Sequence, residues 1–269
     1  MKYQVDHDFH IHSQLSSCSR DPEQTTARIL QYAKENGFSQ ICLTDHYWDT
    51  DVPTPSAWYA PQNFAHISQA KPLPQIDGVE FLFGCETDMD MNFTIGISPN
   101  RFDDFDFIIV PTTHLHMKGF TISEEDAQSN VRRAELWVER LDALLRQPLP
   151  FGRVGLAHPV ACLINKKSRA DLRQILEMIS NEDMERLFTR AAALGCGIEL
   201  NQDDMSFADE EQDWLLRPFR IAKACGCKFY LGSDAHHPSG LQHSKQIFER
   251  AVSLLDLSED DKFHVQKRP

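Results

Sequence analysis

The sequence predicts an α/β protein in which seven parallel strands alternate with helices. Short apolar runs recur at 5–11, 40–44, 80–85, 105–111, 153–157, 197–200 and 228–232, and the segments between most of them carry a helical period. No internal repeat or low-complexity tract interrupts the alternation. Such an order implies parallel strands joined by right-handed crossovers, in a closed barrel or an open doubly wound sheet. No strand is followed by a G-x-G-x-x-G fingerprint or a P-loop, so nucleotide-binding open sheets lose support.

The first run ends Asp8-Phe9-His10-Ile11-His12, and strict alternation sets Asp8, His10 and His12 on one face and Phe9 and Ile11 on the other. After it, Asp21 precedes Pro22 and can cap a helix that Gly37 ends. Residues 47–77 break the rhythm with five prolines and Trp48, Trp58, Tyr59 and Phe64. An irregular insertion of that length is a candidate lid or substrate-shaping loop, with a plain packed surface loop the alternative. Val131, Ala134, Val138, Leu141 and Leu145 mark the apolar face of a second helix, and Met184, Leu187, Phe188, Ala191 and Ala192 that of another, which Gly195 ends. The helical run near Trp214 contains Pro218 and is expected to kink or restart there. Ile247, Phe248, Ala251, Leu254 and Leu255 mark a last helix.

Composition narrows the class. A chain of 269 residues, 41% hydrophobic and 25% charged, is an ordinary globular protein, and one large domain over 1–269 is the expectation. No window approaches the ~18 unbroken apolar residues of a membrane helix. The start, MKYQVDHDFH, lacks the layout of a signal peptide, and seven irregularly spaced cysteines form no even disulfide framework, so a reducing cytoplasm is expected. A net charge of -13 argues against extended nucleic-acid binding, though not against an anionic small molecule, because bound metal ions reverse the field locally.

Function follows from where histidines fall. In parallel α/β barrels chemistry sits at the C-terminal strand ends. Here those ends read His10-Ile11-His12, Thr44-Asp45-His46, Gly84-Cys85-Glu86, Thr112-Thr113-His114, Ala157-His158-Pro159, Glu199-Leu200-Asn201 and Gly232-Ser233-Asp234-Ala235-His236. A lone strand-end histidine is ordinary; the joint pattern is what chance reproduces poorly. The donors are nitrogen and oxygen, apart from a thiol at Cys18, and suit zinc, manganese or iron. They exceed what one tetrahedral ion needs, so two or three ions are expected. With no G-x-S-x-G elbow present, a metal-bound water is the predicted nucleophile. Asp8, and with it Asp45 and Asn201, are candidates for orienting the ligands.

In this order and spacing, the motifs resemble the polymerase and histidinol phosphatase (PHP) family over nearly the whole chain. The resemblance implies a distorted (β/α)7 TIM-like barrel with up to three metal ions. It implies that His10, His12, Glu86 and Asp234 hold one ion, with Glu86 bridging to a second held by His114 and His158. A third would use His46 and His236, and Cys18 stands where the family usually has His or Asp. Members of this length are mostly phosphoesterases, including histidinol-phosphate phosphatases, so a small phosphate monoester is the expected substrate. Lys118, Lys166, Lys167 and Arg169 are the candidate phosphate contacts, with solvated loop residues as the plainer alternative. Two rivals stand beside this reading. An amidohydrolase-type deaminase or amidase also opens with H-x-H, but is disfavoured by Glu86, His114 and the histidine after Asp234. A non-catalytic metal-binding domain would need every coordination position filled by protein.

Overall fold

The computed structural model describes residues 1–165 and 168–268. Nine short strands run in chain order: β1 (His7–Ile11), β2 (Gln40–Leu43), β3 (His46–Tyr47), β4 (Glu80–Phe83), β5 (Cys85–Thr87), β6 (Ile108–Pro111), β7 (Val154–Ala157), β8 (Gly197–Asn201) and β9 (Lys228–Gly232). The helices are α1 (Thr26–Asn36), α2 (Phe64–Ile67), α3 (Asn130–Leu144), α4 (Arg169–Met178), α5 (Asn181–Leu194), α6 (Gln202–Met205), α7 (Gln212–Ala224) and α8 (Ser244–Leu254).

Two of the expected strands are realised as two pieces each. The second resumes after Thr44 and Asp45 as β3, and the third is cut at Gly84, where a Cβ would strike the Phe107 carbonyl and the Cys42 thiol. The breaks divide the strands into a three-stranded sheet, β1-β2-β4, and a six-stranded one, β3-β5-β6-β7-β8-β9. Every strand pairing is parallel. Two backbone bonds carry β1 to the chain just past β9: the Asp234 N–H donates to the His10 carbonyl at 2.7 Å, and the His12 N–H to the Ala235 carbonyl at 3.2 Å. The architecture is mixed α/β with parallel sheets, compatible with a TIM-like fold. Among the described residues no helix is long and apolar enough to cross a membrane.

Most apolar positions fall into one core between strands and helices, with Ile11, Ile41, Val110 and Leu156 facing Ala33, Trp137, Leu176 and Phe219. Phe9, Phe107, Ile109 and Tyr230 form a separate small cluster. Phe9 and Ile11 therefore do not share a core, because an irregularity between Asp8 and Ile11 breaks the alternation read from the sequence.

The helices differ from expectation at identifiable places. Helix α1 starts at Thr26, capped by Thr25, while Asp21 caps only a turn by accepting the Glu23 N–H; Gly37 does end the helix, at φ 68°. The buried face of α3 carries Arg133, Trp137 and Arg140, and Val131 is 55% exposed, since two arginines find carbonyl partners inside. Helix α7 runs unbroken through Pro218, where a missing N–H costs a single bond while the ring is buried. Helix α4, capped by Ser168, has no counterpart in the sequence reading.

Candidate metal centre

The parallel strands deliver their C-terminal ends to one side, and there the candidate ligands meet. Three overlapping groups form: His10, His12, Glu86 and Asp234; Glu86, His114 and His158; and His12, His46 and His236, each with ligand atoms within 4.8 Å of one another. Pairing of β3 with β5 sets His46 opposite Glu86, with His46 Nδ1 at 2.9 Å from Oε2. The same oxygen faces His12 Nε2 at 3.3 Å and His10 Nε2 at 3.5 Å. Oε1 faces His158 Nε2 at 3.3 Å and His114 Nε2 at 3.9 Å. Asp234 Oδ1 lies 3.2 Å from both His10 Nε2 and His12 Nε2. His158 and Asp234 have φ of 26° and 53°, a left-handed backbone uncommon outside glycine that recurs at functional sites.

These atoms fit divalent cations. Glu86 Oε2 and His46 Nδ1 are buried, and close as they are, neither makes a hydrogen bond. Nε2 of His10 and Nε2 of His12 face each other at 3.0 Å, an approach that needs a proton or a shared cation. In the ion-free protein, protons take that part. Burial pulls His10 down, yet Asp234, Glu199 and Glu86 hold its pKa well above the usual histidine value. Against the same burial, His158 is raised to about 9 by Glu86 and Asp234. Burial would raise Glu86, but His46 and His10 hold it well below the carboxylate range. His236 is pushed down to about 3 by burial and the neighbouring His12. Metal binding at such a site displaces protons.

A ring of buried partners turns the imidazoles. His10 Nδ1 donates to Glu199 Oε1 at 2.8 Å, and Glu199 Oε2 accepts the His158 N–H at 2.5 Å. Gly232 makes room for this, since a Cβ there would run into the Glu199 carboxylate. His12 Nδ1 meets Ser16 Oγ at 2.9 Å, which donates to Asp45 at 2.7 Å. His158 Nδ1 meets Thr113 Oγ1 at 2.9 Å, and His114 Nδ1 donates to Asp88 Oδ2 at 2.8 Å. The fully buried Arg140 guanidinium donates to the carbonyls of Thr112, Asp90, Thr121 and Met89.

A family model described as the PHP domain matches residues 8–203 of this chain. The chain belongs to the PHP family. No curated protein sequence matches it. Among solved structures, the chain is similar to the histidinol phosphate phosphatase (HisK) of Lactococcus lactis subsp. lactis Il1403, solved with zinc, L-histidinol and phosphate. The TM-score is 0.54 at 18% identity, covering 91% of this chain and 93% of that one. A probable 2-pyrone-4,6-dicarboxylic acid hydrolase of Acinetobacter baumannii, solved with citric acid, matches at TM-score 0.40 and 13% identity over 96% and 97% of the two chains, too loosely to bear on the fold.

The PHP site opens into a cavity of about 780 Å³ whose apolar wall includes Trp58, Met117, Phe120 and Leu163. Cys18 lines the cavity, but its thiol lies outside all three groups, and His12 completes the one with His46 and His236. The Cys18 residue is exposed, yet partial desolvation of its thiol, with the charges of Glu86 and Asp234, raises the thiol's pKa. Asp21 is engaged by His237 Nε2 at 2.6 Å. Asp8 reaches no ligand ring. It accepts the N–H groups of Ser233 and His10 and the Tyr32 hydroxyl, holding backbone instead. Asn201 lines the cavity, accepts the Asp203 N–H and leaves Nδ2 buried without a partner.

Of the candidate phosphate contacts, Lys118 lines the cavity, 3.4 Å from Glu124. Arg169 is not among its lining residues: it pairs with Glu211 at 2.8 Å, over the Trp214 ring. Lys166 and Lys167 lie outside the described residues. Sequence reasoning missed Asp88 and Glu199 as partners of the candidate ligands His114 and His10.

Proposed function

We propose that this PHP chain is a metal-dependent phosphoesterase acting on a small phosphate monoester. In this reading His10, His12, His46, Glu86, His114, His158, Asp234 and His236 hold two or three divalent ions of zinc, manganese or iron. One observation carries it: the buried Glu86 turns Oε1 to His114 and His158 and Oε2 to His10, His12 and His46. A carboxylate so shared suits neighbouring cations. Such ions, when bound, lower the pKa of water and neutralise phosphate charge. The chain's own residues do the rest. Glu199, Asp88, Thr113 and Ser16 fix which imidazole nitrogen carries its proton, leaving the other for a metal. The apolar wall keeps water off the organic part of a substrate, and Lys118 stands at the cavity for its phosphate.

In the same reading, the two sheets are one closed, distorted (β/α)7 barrel and residues 1–269 one domain, with 47–77 an insertion shaping the cavity. The bonds joining β1 to the chain after β9 support closure. The protein acts in the cytoplasm on a small molecule, and its -13 charge disfavours extended nucleic-acid binding. Histidinol phosphate is the first substrate to try, because the similar Lactococcus structure was solved with L-histidinol and phosphate.

The test is a panel of phosphate monoesters and amides offered to demetallated protein, with and without added manganese or zinc. Phosphate release that appears with metal and stops with chelator is the expected result. Turnover that persists in chelator overturns the reading, and amide cleavage in place of phosphate release favours the amidohydrolase rival.

A further inference from the structure

The insertion at 47–77 reaches the metal centre through two consecutive residues. Trp58 lines the cavity, edge-on to His46 at 4.9 Å between ring centroids. Tyr59 also borders the cavity yet is fully buried, its ring against His46, Trp48 and Phe120. Its backbone is fixed: the Tyr59 N–H donates to the Ser56 carbonyl at 3.0 Å, and its own carbonyl accepts the Gln62 N–H at 2.8 Å. Its hydroxyl donates to Asp88 Oδ2 at 3.2 Å, the oxygen that accepts His114 Nδ1–H at 2.8 Å.

We infer that Tyr59 is a positioning residue for His114, acting through Asp88, so that the insertion helps to set metal affinity at the Glu86–His114–His158 group. The Asp88 carboxylate is held on both sides. Oδ1 accepts the Met89 N–H at 2.7 Å and lies 3.6 Å from the Arg140 guanidinium, while Oδ2 takes both the tyrosine and the histidine. With Nδ1–H committed to Asp88, His114 presents a bare Nε2 toward Glu86, the tautomer that a metal requires. Any buried tyrosine hydroxyl seeks a partner. This one takes the carboxylate that orients a candidate ligand, while its ring abuts a second, His46. Without the hydroxyl, Oδ2 would keep one donor of two, leaving Asp88 and His114 less sharply held.

The inference rests on the metal-centre reading proposed above, and its test separates the two. Zinc is titrated calorimetrically into demetallated wild type, Tyr59→Phe, Asp88→Asn and the double variant, with a thermal melt of each ion-free protein. Tyr59→Phe keeps the ring and removes only the hydroxyl. One zinc site is expected to weaken about tenfold, the low end of what removing such an outer partner costs. Asp88→Asn should weaken the same site at least as much, and in that background the tyrosine change should cost little more. Zinc affinity of Tyr59→Phe within about twofold of wild type overturns the inference, including when its melting temperature falls. So does a tyrosine effect undiminished in the Asp88→Asn background. Wild type that takes up no zinc instead sinks the metal centre itself.

Discussion

Glu86→Gln preserves shape and removes the one anionic donor that two neighbouring groups share. Five imidazole nitrogens face its oxygens, from 2.9 Å at His46 through 3.3 Å at His12 and His158 to 3.5 Å at His10 and 3.9 Å at His114. Deleting the charge of one buried partner costs about 3–5 kcal/mol. Divided between two ions, that is roughly 2 kcal/mol each, or on the order of thirtyfold in each Kd. The amide adds a further cost on one side, where its NH2 has no lone pair to offer a cation. Metal per chain after dialysis should therefore fall by more than one ion, with phosphate release abolished and the fold intact by circular dichroism. Elemental analysis beside a rate assay reads both quantities. Wild-type metal content together with a wild-type rate would refute the reasoning and leave Glu86 a buried acid without that role.

Two further outcomes follow from other residues. Burial raises the Asp204 carboxyl to about 7, so the folded state holds its proton more tightly than the unfolded chain. Its contribution to stability is then lost as pH rises from about 4 to 7. Asp204→Asn in ion-free protein should gain on wild type, by a few kcal/mol at most, at pH 8 but little at pH 4, and an equal difference in melting temperature at both values would contradict this. Cys18→Ala should keep the wild-type metal count, because the thiol stands outside every ligand group, and loss of one ion in that variant would restore the cysteine as a ligand.

The strand ends were legible because a histidine or carboxylate at the close of a short apolar run survives errors of a residue or two in the strand. Asp88 and Glu199 were within reach. The period of two sets Asp88 beside Glu86 and Glu199 beside Asn201, and Asn201 was chosen where Glu199 makes the contact. The link from Asp45 through Ser16 to His12 was not readable, since it joins a loop to a strand end that only the folded chain brings near. Helix α3 misled for a physical reason. Arg133 and Arg140 are charged and yet buried, satisfied by carbonyls, so apolar periodicity rotated the face toward the exposed Val131. Cys18 stands where the family pattern has a ligand, yet position in the chain alone did not bring its sulfur into the cluster.

Arg140 joins segments that are far apart in the chain. Its guanidinium binds four carbonyls, two on the stretch after β5, one at the end of β6 and one on the loop that carries Met117 and Phe120. Loosening any one of these segments would strand part of a buried cation, so they must open together or stay shut. That wall of the cavity is ordered before anything arrives. An incoming molecule meets a surface whose conformational entropy was already surrendered in folding, and a larger share of its contact energy remains for binding.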